Sequence, residues 1–176
     1  IPQTLKDSLS LREHVFVNEQ RAVPLQHHID RDDARSCHWV LYSNSTPIGT
    51  IRLAPPPQYP HPEPGARFEA PGPKTDLHDG VESFVKLGRL CLLKEYRGNR
   101  LADLLIQEAL GWARKEENRE VVGGEGKDGR EWKGLVCVHA RIEAMKTWAR
   151  NGFVLDKGMG TWFEAGIPHV GMFYRL

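Results

Sequence analysis

The stretch that decides the fold is Leu90–Leu105, which reads LCLLKEYRGNRLADLL. A strand-like run ends near Leu93, a turn carries Arg97 and Gly98, and a helical pattern begins directly after it. Such a turn points several backbone N–H groups and the positive end of a helix dipole at one place, which is where proteins bind phosphate. The stretch therefore predicts either an anion site or an ordinary strand–turn–helix unit with a glycine turn.

Two familiar nucleotide motifs are absent from this stretch. No Gly-Lys-Ser/Thr sequence follows the turn, so it is not a P-loop, and no GxGxxG pattern opens the helix. A dinucleotide site of that type is therefore disfavoured.

Patterns on both sides of the turn predict the remaining elements. Helices are expected at 4–18, 100–117 and 141–151, and strands at 37–42, 48–54, 81–93, 135–138, 153–155 and 170–174, of which the first two form a hairpin. The residues expected on the buried stripe of the first helix are Leu5, Leu9, Arg12 and Phe16. Those expected on the buried face of the second are Leu101, Leu104, Leu105, Ala109 and Trp112. Residues 55–80 contain eight prolines and predict a surface excursion between two strands, and 118–133 predicts a second exposed loop. This order predicts one mixed α/β (α+β) domain over 1–176 with a largely antiparallel sheet.

Composition excludes several classes of protein. The 176 residues carry 24 Lys and Arg against 23 Asp and Glu, so the net charge of +1 argues against a nucleic-acid surface. No apolar run is long enough to span a membrane. Three cysteines, an odd number, indicate reduced thiols, and the start Ile1-Pro2-Gln3 lacks the pattern of a secretion signal. We therefore expect a cytoplasmic protein.

The hexapeptide 97–102, Arg-Gly-Asn-Arg-Leu-Ala, resembles the pyrophosphate loop of the GNAT N-acetyltransferases, which follows Arg/Gln-x-x-Gly-x-Gly/Ala. Arg100 stands where that pattern has its middle glycine. Four further regions are similar to the family. Residues 86–92 resemble its pantetheine strand, and 144–153 resemble its Ala-x-x-x-Tyr-x-x-x-Gly-Phe element. Residues 11–20 (with Asp30 and Asp33) and 163–172 resemble its ElaA/YjcF-like subgroup.

The resemblance implies the GNAT acyl-CoA N-acyltransferase fold, in which helices flank a mixed, mostly antiparallel sheet and two central parallel strands splay apart. It also implies acetyl transfer from acetyl-CoA to a small-molecule or peptide amine in a ternary complex, without a metal or a covalent acyl-enzyme. The residues expected to bind the coenzyme are Leu90, Cys91, Leu92, Arg97, Gly98, Asn99, Arg100, Leu101, Ala102 and Trp148. A backbone N–H near Leu92 would polarise the thioester carbonyl.

Catalytic groups are harder to assign. Trp148 occupies the position of the family's acidic tyrosine, and an indole N–H donates a hydrogen bond but no usable proton, so we expect Trp148 to form a wall of the coenzyme channel. Four side chains remain as candidates for the base that deprotonates the amine. These are His139 after the splayed strand, His169 in an Ile-Pro-His loop, Glu19 at the end of the first helix, and Glu164.

Two other classes of function remain as alternatives. One is an acyl-CoA-binding regulatory module that has this fold but no turnover. The other is a metal-dependent hydrolase built on the His27–Asp33 loop, although Arg31 lies among its would-be ligands and no zinc spacing matches. Cys91 is expected to be a packing thiol, and the oligomeric state, monomer or homodimer, stays open.

Overall fold

The computed structural model describes residues 1–61, 65, 75–123 and 131–176. These residues form two compact units. Unit 1 comprises 1–54 and 87–112, and unit 2 comprises 55–86 and 113–176. The two units are described in turn.

Unit 1 begins with helix α1, Gln3–Arg12, which continues as a π-helical turn over Glu13–Glu19. The predicted helix at 4–18 is therefore confirmed, with a change of helix type near its middle. Its buried face differs from the predicted stripe, because Leu5 and Leu9 are only half-buried. The side chains inside are those of Ser8, Leu11, Arg12, Val15 and Phe16.

The predicted hairpin is also present in unit 1. Strands β1, Cys37–Ser43, and β2, Thr46–Ala54, pair antiparallel. Asn44 occupies their turn with a φ of 53°. The hydroxyl of Ser8 lies 2.7 Å from that of Thr50, so α1 packs on the hairpin through a buried polar contact as well as apolar ones.

Strand β3, Phe84–Leu92, leads through a 3-10 turn at Lys94–Tyr96 into helix α2, Leu101–Arg114. The unit 1 strands lie in the order β1-β2-β3. The buried face of α2 differs from the predicted one, since Leu104 is 57% exposed whereas Ile106 and Leu110 are fully buried. Trp112 stacks edge-on against Trp39, with ring centroids 5.5 Å apart.

Unit 2 carries the remaining elements: α3 (Arg119–Gly123), β4 (Leu135–Arg141), α4 (Met145–Arg150), β5 (Val154–Leu155), β6 (Thr161–Glu164) and β7 (Ile167–Arg175). Strand β7 pairs antiparallel with β4, β5 and β6. A cluster of buried apolar side chains forms its core: Phe84, Leu135, Cys137, Met159, Trp162 and Phe173.

Two predicted loops of unit 2 are wrong in part. Helix α3 lies inside the loop expected at 118–133, of which 124–130 fall outside the described residues. The glycine-containing segment before 170 forms the hairpin β6–β7, because Ala165 and Gly166 both take left-handed φ values, 49° and 76°. Two consecutive left-handed residues match the twist of a tight hairpin turn.

The proline-rich insertion at 55–80 is not simply surface. Within its described residues, His61 and His78 are buried. The N–H of Gly65 donates to the carbonyl of Thr161 at 2.5 Å, and Asp156 accepts hydrogen bonds from the backbone of Asp76 and Leu77. The insertion is therefore bonded to the rest of unit 2 at Gly65 and again near its end, at Asp76 and Leu77.

Within the described residues, seven strands with mostly antiparallel pairing and flanking helices make a mixed α/β fold, as predicted. The splay between two central parallel strands stays a prediction. In the same residues, no helix has both the length and the apolar character needed to cross a membrane.

Candidate active site

The turn between β3 and α2 contains two residues with left-handed backbone. Gly98 has a φ of 83° and Arg100 a φ of 57°. No atom lies within 4 Å of the place where a Cβ of Gly98 would sit, so the backbone conformation, and not lack of space, requires glycine there. For Arg100 the same conformation costs about 1–2 kcal/mol, which explains why glycine suits this position.

The N-terminus of α2 is open to an anion. Gly98, Asn99 and Arg100 are exposed, and the first N–H groups of a helix have no partner within it. The N–H of Asp103 is an exception, because it donates to the carbonyl of Arg100 at 3.0 Å. The remaining amides and the positive end of the helix dipole can hold a phosphate.

Arg97 supports this turn from within unit 1. Its guanidinium donates to both oxygens of Glu19, at 2.6 and 2.8 Å, and to the carbonyl of Leu92, at 3.0 and 2.9 Å. The hydrogen bonds from Arg97 hold the pKa of Glu19 below its usual value. Glu19 is therefore an ionised clamp on Arg97 and a poor proton acceptor.

The expected coenzyme strand lies within β3. Cys91 is buried against Leu11, Val15 and Phe16, which confirms the prediction of a packing thiol. Gly88 has open space where a side chain would stand. Leu90 is half-buried and Leu92 is buried, so this strand presents a mixed surface.

Trp148 lies on α4 in unit 2. It is 3% exposed and packs edge-on against Phe153, with ring centroids 5.1 Å apart. Its role as a wall of the coenzyme channel stays a prediction.

Glu164, on β6, lies between two of the predicted histidines. Its Oε1 is 3.3 Å from Nδ1 of His139 and its Oε2 is 3.8 Å from Nε2 of His169. The indole of Trp162 also donates to Oε1 at 2.8 Å. Burial raises the pKa of Glu164, but the interaction with His139 outweighs burial, so the net pKa is below the usual value and the group is a carboxylate.

His169 lies in β7, not in a loop as the sequence predicted. It is 8% exposed, and its ring stacks on Trp162. Its Nδ1 is 2.8 Å from the carbonyl of Ile167, which can only accept, so Nδ1 carries the hydrogen. Nε2 is then the basic nitrogen, and it faces Glu164.

His139 lies inside β4, not after its end, and its side chain is 6% exposed. Burial lowers its pKa to about 4, so the ring is neutral at pH 7. Its Nε2 lies 3.5 Å from Nδ1 of His61. His139 is therefore enclosed among protein groups, which does not suit the solvated base expected at the mouth of a cleft.

The sequence reasoning missed His61 and His78, which belong to the insertion. Nε2 of His61 is 3.1 Å from Nδ1 of His78, and Nε2 of His78 is 2.8 Å from the carbonyl of Glu82. Burial lowers the pKa of His61 to about 3. The presence of histidines in a proline-rich stretch was the available signal for a buried group. The sequence could not show their contact with β4, because 78 positions separate His61 from His139.

The His/Asp loop proposed as a hydrolase centre has another role. Asp33 accepts from Arg12 and Arg52, and Asp30 accepts from Arg52 and Arg89. Three guanidinium groups thus occupy the carboxylates that a metal would need. The structure therefore disfavours the metal-hydrolase alternative, because these aspartates pair with arginines from other parts of unit 1.

Comparison with known proteins agrees with this geometry. A strand that leads through a glycine turn into an exposed helix N-terminus, on a mixed α/β fold, is compatible with a protein that binds a phosphate-containing coenzyme. The family model described as Acetyltransferase (GNAT) domain matches residues 11–107, more than half of the sequence, so the chain belongs to the GNAT acetyltransferase family and is an enzyme of the N-acetyltransferase type.

Relatives extend the likeness to nearly the whole chain. The protein YjcF of Bacillus subtilis strain 168, described as an uncharacterized N-acetyltransferase, is 28% identical over 171 residues, which are 97% of this chain and 91% of that protein. A Lactobacillus plantarum protein assigned as an N-acetyltransferase has a solved structure that is 24% identical, with a TM-score of 0.67, covering 100% of this chain and 93% of that one. Escherichia coli ElaA is 21% identical, with a TM-score of 0.62, covering 97% and 89%. These two structures show the shared fold.

Proposed function

We propose that this protein transfers an acetyl group from acetyl-CoA to a primary amine of a small molecule or peptide, by direct attack in a ternary complex. The observation that carries the proposal is the turn at Gly98 and Arg100, left-handed at both residues and followed at once by α2. Together with family membership, this turn indicates where the diphosphate of the coenzyme binds.

In this turn, backbone amides and one charged side chain would both contribute to anion binding. The guanidinium of Arg97 is engaged with Glu19 and Leu92, so it fixes the loop rather than the ligand. The exposed side chain of Arg100 adds a cation beside the amides of Asn99, Leu101 and Ala102. Compared with the glycine of the family pattern, Arg100 therefore keeps the backbone amide and adds a positive charge, but its left-handed backbone is strained.

The rest of the coenzyme would follow β3. Gly88 leaves open space on this strand, and the amide near Leu92 would polarise the thioester carbonyl. Leu90 would contact the pantetheine arm. Cys91 packs inward, so the acetyl group passes directly to the amine and not through a cysteine.

His169 is our candidate for the base. Its Nδ1–H is fixed on the Ile167 carbonyl, so Nε2 is free to take a proton from the amine, and the nearby carboxylate of Glu164 would stabilise the imidazolium that forms. The amine nitrogen then bonds to the thioester carbon, the C–S bond breaks, and the thiolate leaves. Glu19 and His139 are weaker candidates, since Arg97 holds the carboxylate of Glu19 and both ring nitrogens of His139 face protein groups, those of His61 and Glu164.

The first test removes the phosphate loop. Gly98→Pro with Ala102→Asp should reduce CoA affinity at least about 100-fold, because proline cannot take a φ of 83° and the new carboxylate repels phosphate. Calorimetric titration with CoA measures the loss, and far-UV circular dichroism checks the fold.

The matched control for this test is Gln107→Glu, which adds the same charge on α2 beyond its first turns. It should leave CoA affinity within about twofold, because the interaction with the helix terminus falls off after the first turn. Equal CoA affinity in the double variant and the natural protein would refute the loop assignment.

The second test addresses the base. His169→Ala should lower kcat about 10²–10⁴-fold while CoA affinity stays near normal, since general-base catalysis contributes that much. Release of free thiol from acetyl-CoA across a panel of amines measures turnover, and His27→Ala, an exposed histidine of unit 1, is the control. An unchanged kcat in His169→Ala would remove His169 from the mechanism.

The same assay separates the enzyme from a regulatory acyl-CoA-binding module. That alternative rests on Trp148, which offers no acidic proton to the leaving thiolate and is buried. Tight CoA binding without thiol release for any amine in the panel would favour the module.

A further inference from the structure

Three possible metal ligands converge inside unit 2. A nitrogen of His61, the sulfur of Cys137 and a nitrogen of His139 all lie within 4.8 Å of one another. Cys137 is fully buried, His61 is 3% exposed, and the side chain of His139 is 6% exposed. Cys137 and His139 are two residues apart on β4, so their side chains leave the same face of the strand.

Hydrogen bonds connect the histidines at one end of this group. The carbonyl of Glu82 can only accept, so Nε2 of His78 carries a hydrogen. Nε2 of His61 lies 3.1 Å from Nδ1 of His78, and Nδ1 of His61 faces Nε2 of His139. Nδ1 of His139 is buried without a hydrogen-bond partner in the described part of the chain, although Oε1 of Glu164 is 3.3 Å away.

The facing nitrogens of His61 and His139 are 3.5 Å apart. This separation is long for an N–H···N bond. It is close to the distance of about 3.3–3.4 Å between two nitrogens at neighbouring corners of a tetrahedral zinc site, given Zn–N bonds of about 2.0–2.1 Å. The sulfur of Cys137 supplies a third, soft ligand.

We propose that His61, Cys137 and His139 bind a Zn²⁺ ion, with water as the fourth ligand. Groups that could support the ligands from outside are already near them, since His78 lies 3.1 Å from His61 and the carboxylate of Glu164 lies 3.3 Å from Nδ1 of His139. A pocket of about 280 Å³ borders His61 and His78.

The charges near the site are compatible with a divalent ion. Cys137 loses its thiol proton to solvent as the Zn–S bond forms, so thiolate and the Glu164 carboxylate together balance the ion's two positive charges. Because His61 belongs to the insertion and the other ligands to β4, the ion would fasten the insertion to the sheet of unit 2.

Metal titration of the whole protein tests the proposal. After dialysis against a chelator, the protein should take up one equivalent of Zn²⁺, and Co²⁺ in its place should show tetrahedral ligand-field absorption with a thiolate-to-cobalt charge-transfer band. His61→Ala and Cys137→Ser should each weaken Zn²⁺ binding at least about 100-fold. Cys91→Ser, which removes the buried thiol of β3, should bind Zn²⁺ as the natural protein does.

Thermal unfolding provides a second readout that does not depend on acetyl transfer. Zn²⁺ should raise the Tm of the natural protein and of Cys91→Ser, but not that of Cys137→Ser. If a ligand variant fails to fold, the Co²⁺ spectrum of the natural protein still decides through its charge-transfer band. Failure to bind one equivalent, or a Co²⁺ spectrum without the thiolate band, would overturn the site.

Discussion

Arg12 shows how one charged side chain organises the interior of unit 1. It is fully buried, donates through both terminal nitrogens to Asp33 at 2.5 and 3.0 Å, and also bonds the carbonyl of His28. Asp33 in turn accepts from Arg52. Burying charge without a partner is costly, so neither Arg12 nor Asp33 can be removed alone without leaving an uncompensated ion.

Replacing Asp33 should therefore destabilise the protein strongly. We expect Asp33→Asn to lower the free energy of unfolding by about 3 kcal/mol at neutral pH, because Arg12 would remain buried without its counterion. Urea-induced unfolding measures the loss. The control is Asp32→Asn, which breaks the more accessible pair with Arg35 and should cost less than about 1 kcal/mol.

The same loss should depend on pH in a defined direction. Burial raises the pKa values of Asp30 and Asp33, but hydrogen bonds from arginines outweigh it, so both folded-state values lie below normal. Their contribution is complete above the unfolded-state pKa of about 3.9 and disappears as pH falls through the lower folded values. The difference between Asp33→Asn and the natural protein should accordingly be largest near neutrality and shrink toward about pH 2. A difference that is constant with pH would contradict the assignment.

The sequence predicted the position of single residues within an element better than it predicted which side chains would contact one another. The polar stripe position of Arg12 on the first helix was visible in the sequence, but its burial was not, because Asp33 lies 21 residues away and only the folded loop brings it near. Cys91 was predicted correctly because a thiol in the middle of an apolar strand has few alternatives to packing.

At the scale of elements, the turn before α2 is both the proposed anion site and a place of backbone strain, at Arg100. Arg100→Gly should raise the free energy of unfolding by about 1 kcal/mol, because glycine takes a φ of 57° without the steric cost that arginine bears. Urea unfolding is again the measurement. In Asn44→Gly, at a φ of 53°, the gain should be smaller, since asparagine tolerates the left-handed region. Loss of stability in Arg100→Gly would mean that the arginine side chain makes a stabilising contact.

Elements with strong periodicity were predicted well and short ones were not. The hairpin β1–β2 and helix α2 follow clear patterns of residues, and both are present. Strand β6 was missed because only four residues pair and glycines flank them, so its register on β7 comes from the turn at Ala165 and Gly166. Such short strands depend on a partner strand that a local window of sequence does not contain.

At the scale of the whole molecule, Asp156 fixes the end of the insertion. Its carboxylate accepts from the N–H groups of Asp76, Leu77 and Met159 and from the hydroxyl of Thr75. Asp156→Asn should cost about 2 kcal/mol, since hydrogen bonds to a charged group are lost and an amide N–H₂ would face backbone donors.

Amide hydrogen exchange localises that effect. Exchange at Asp76 and Leu77 should accelerate at least about tenfold in Asp156→Asn, in line with the lost hydrogen bonds. Asp79→Asn is the control, because Asp79 also accepts from two backbone amides but its side chain is 66% exposed. If both variants exchange alike, Asp156 is not the anchor.

The insertion also marks the limit of prediction from sequence. Its prolines correctly excluded regular helix and strand, but they gave no sign that His61 and His78 would be buried beside β4. Family motifs could predict a coenzyme loop because its residues are contiguous in the sequence. The group of Glu164, His139 and His61 is assembled from three separate segments, so no local pattern could reveal it.

The distribution of indole rings gives each unit its own optical signal. Unit 1 contains the half-buried pair of Trp39 and Trp112, whereas Trp132, Trp148 and Trp162 are buried in unit 2. A water-soluble quencher will therefore reach the fluorophores of the first unit more readily than those of the second. Tryptophan emission recorded with and without quencher during denaturation can show, without any label, whether the two units unfold in one transition or in two.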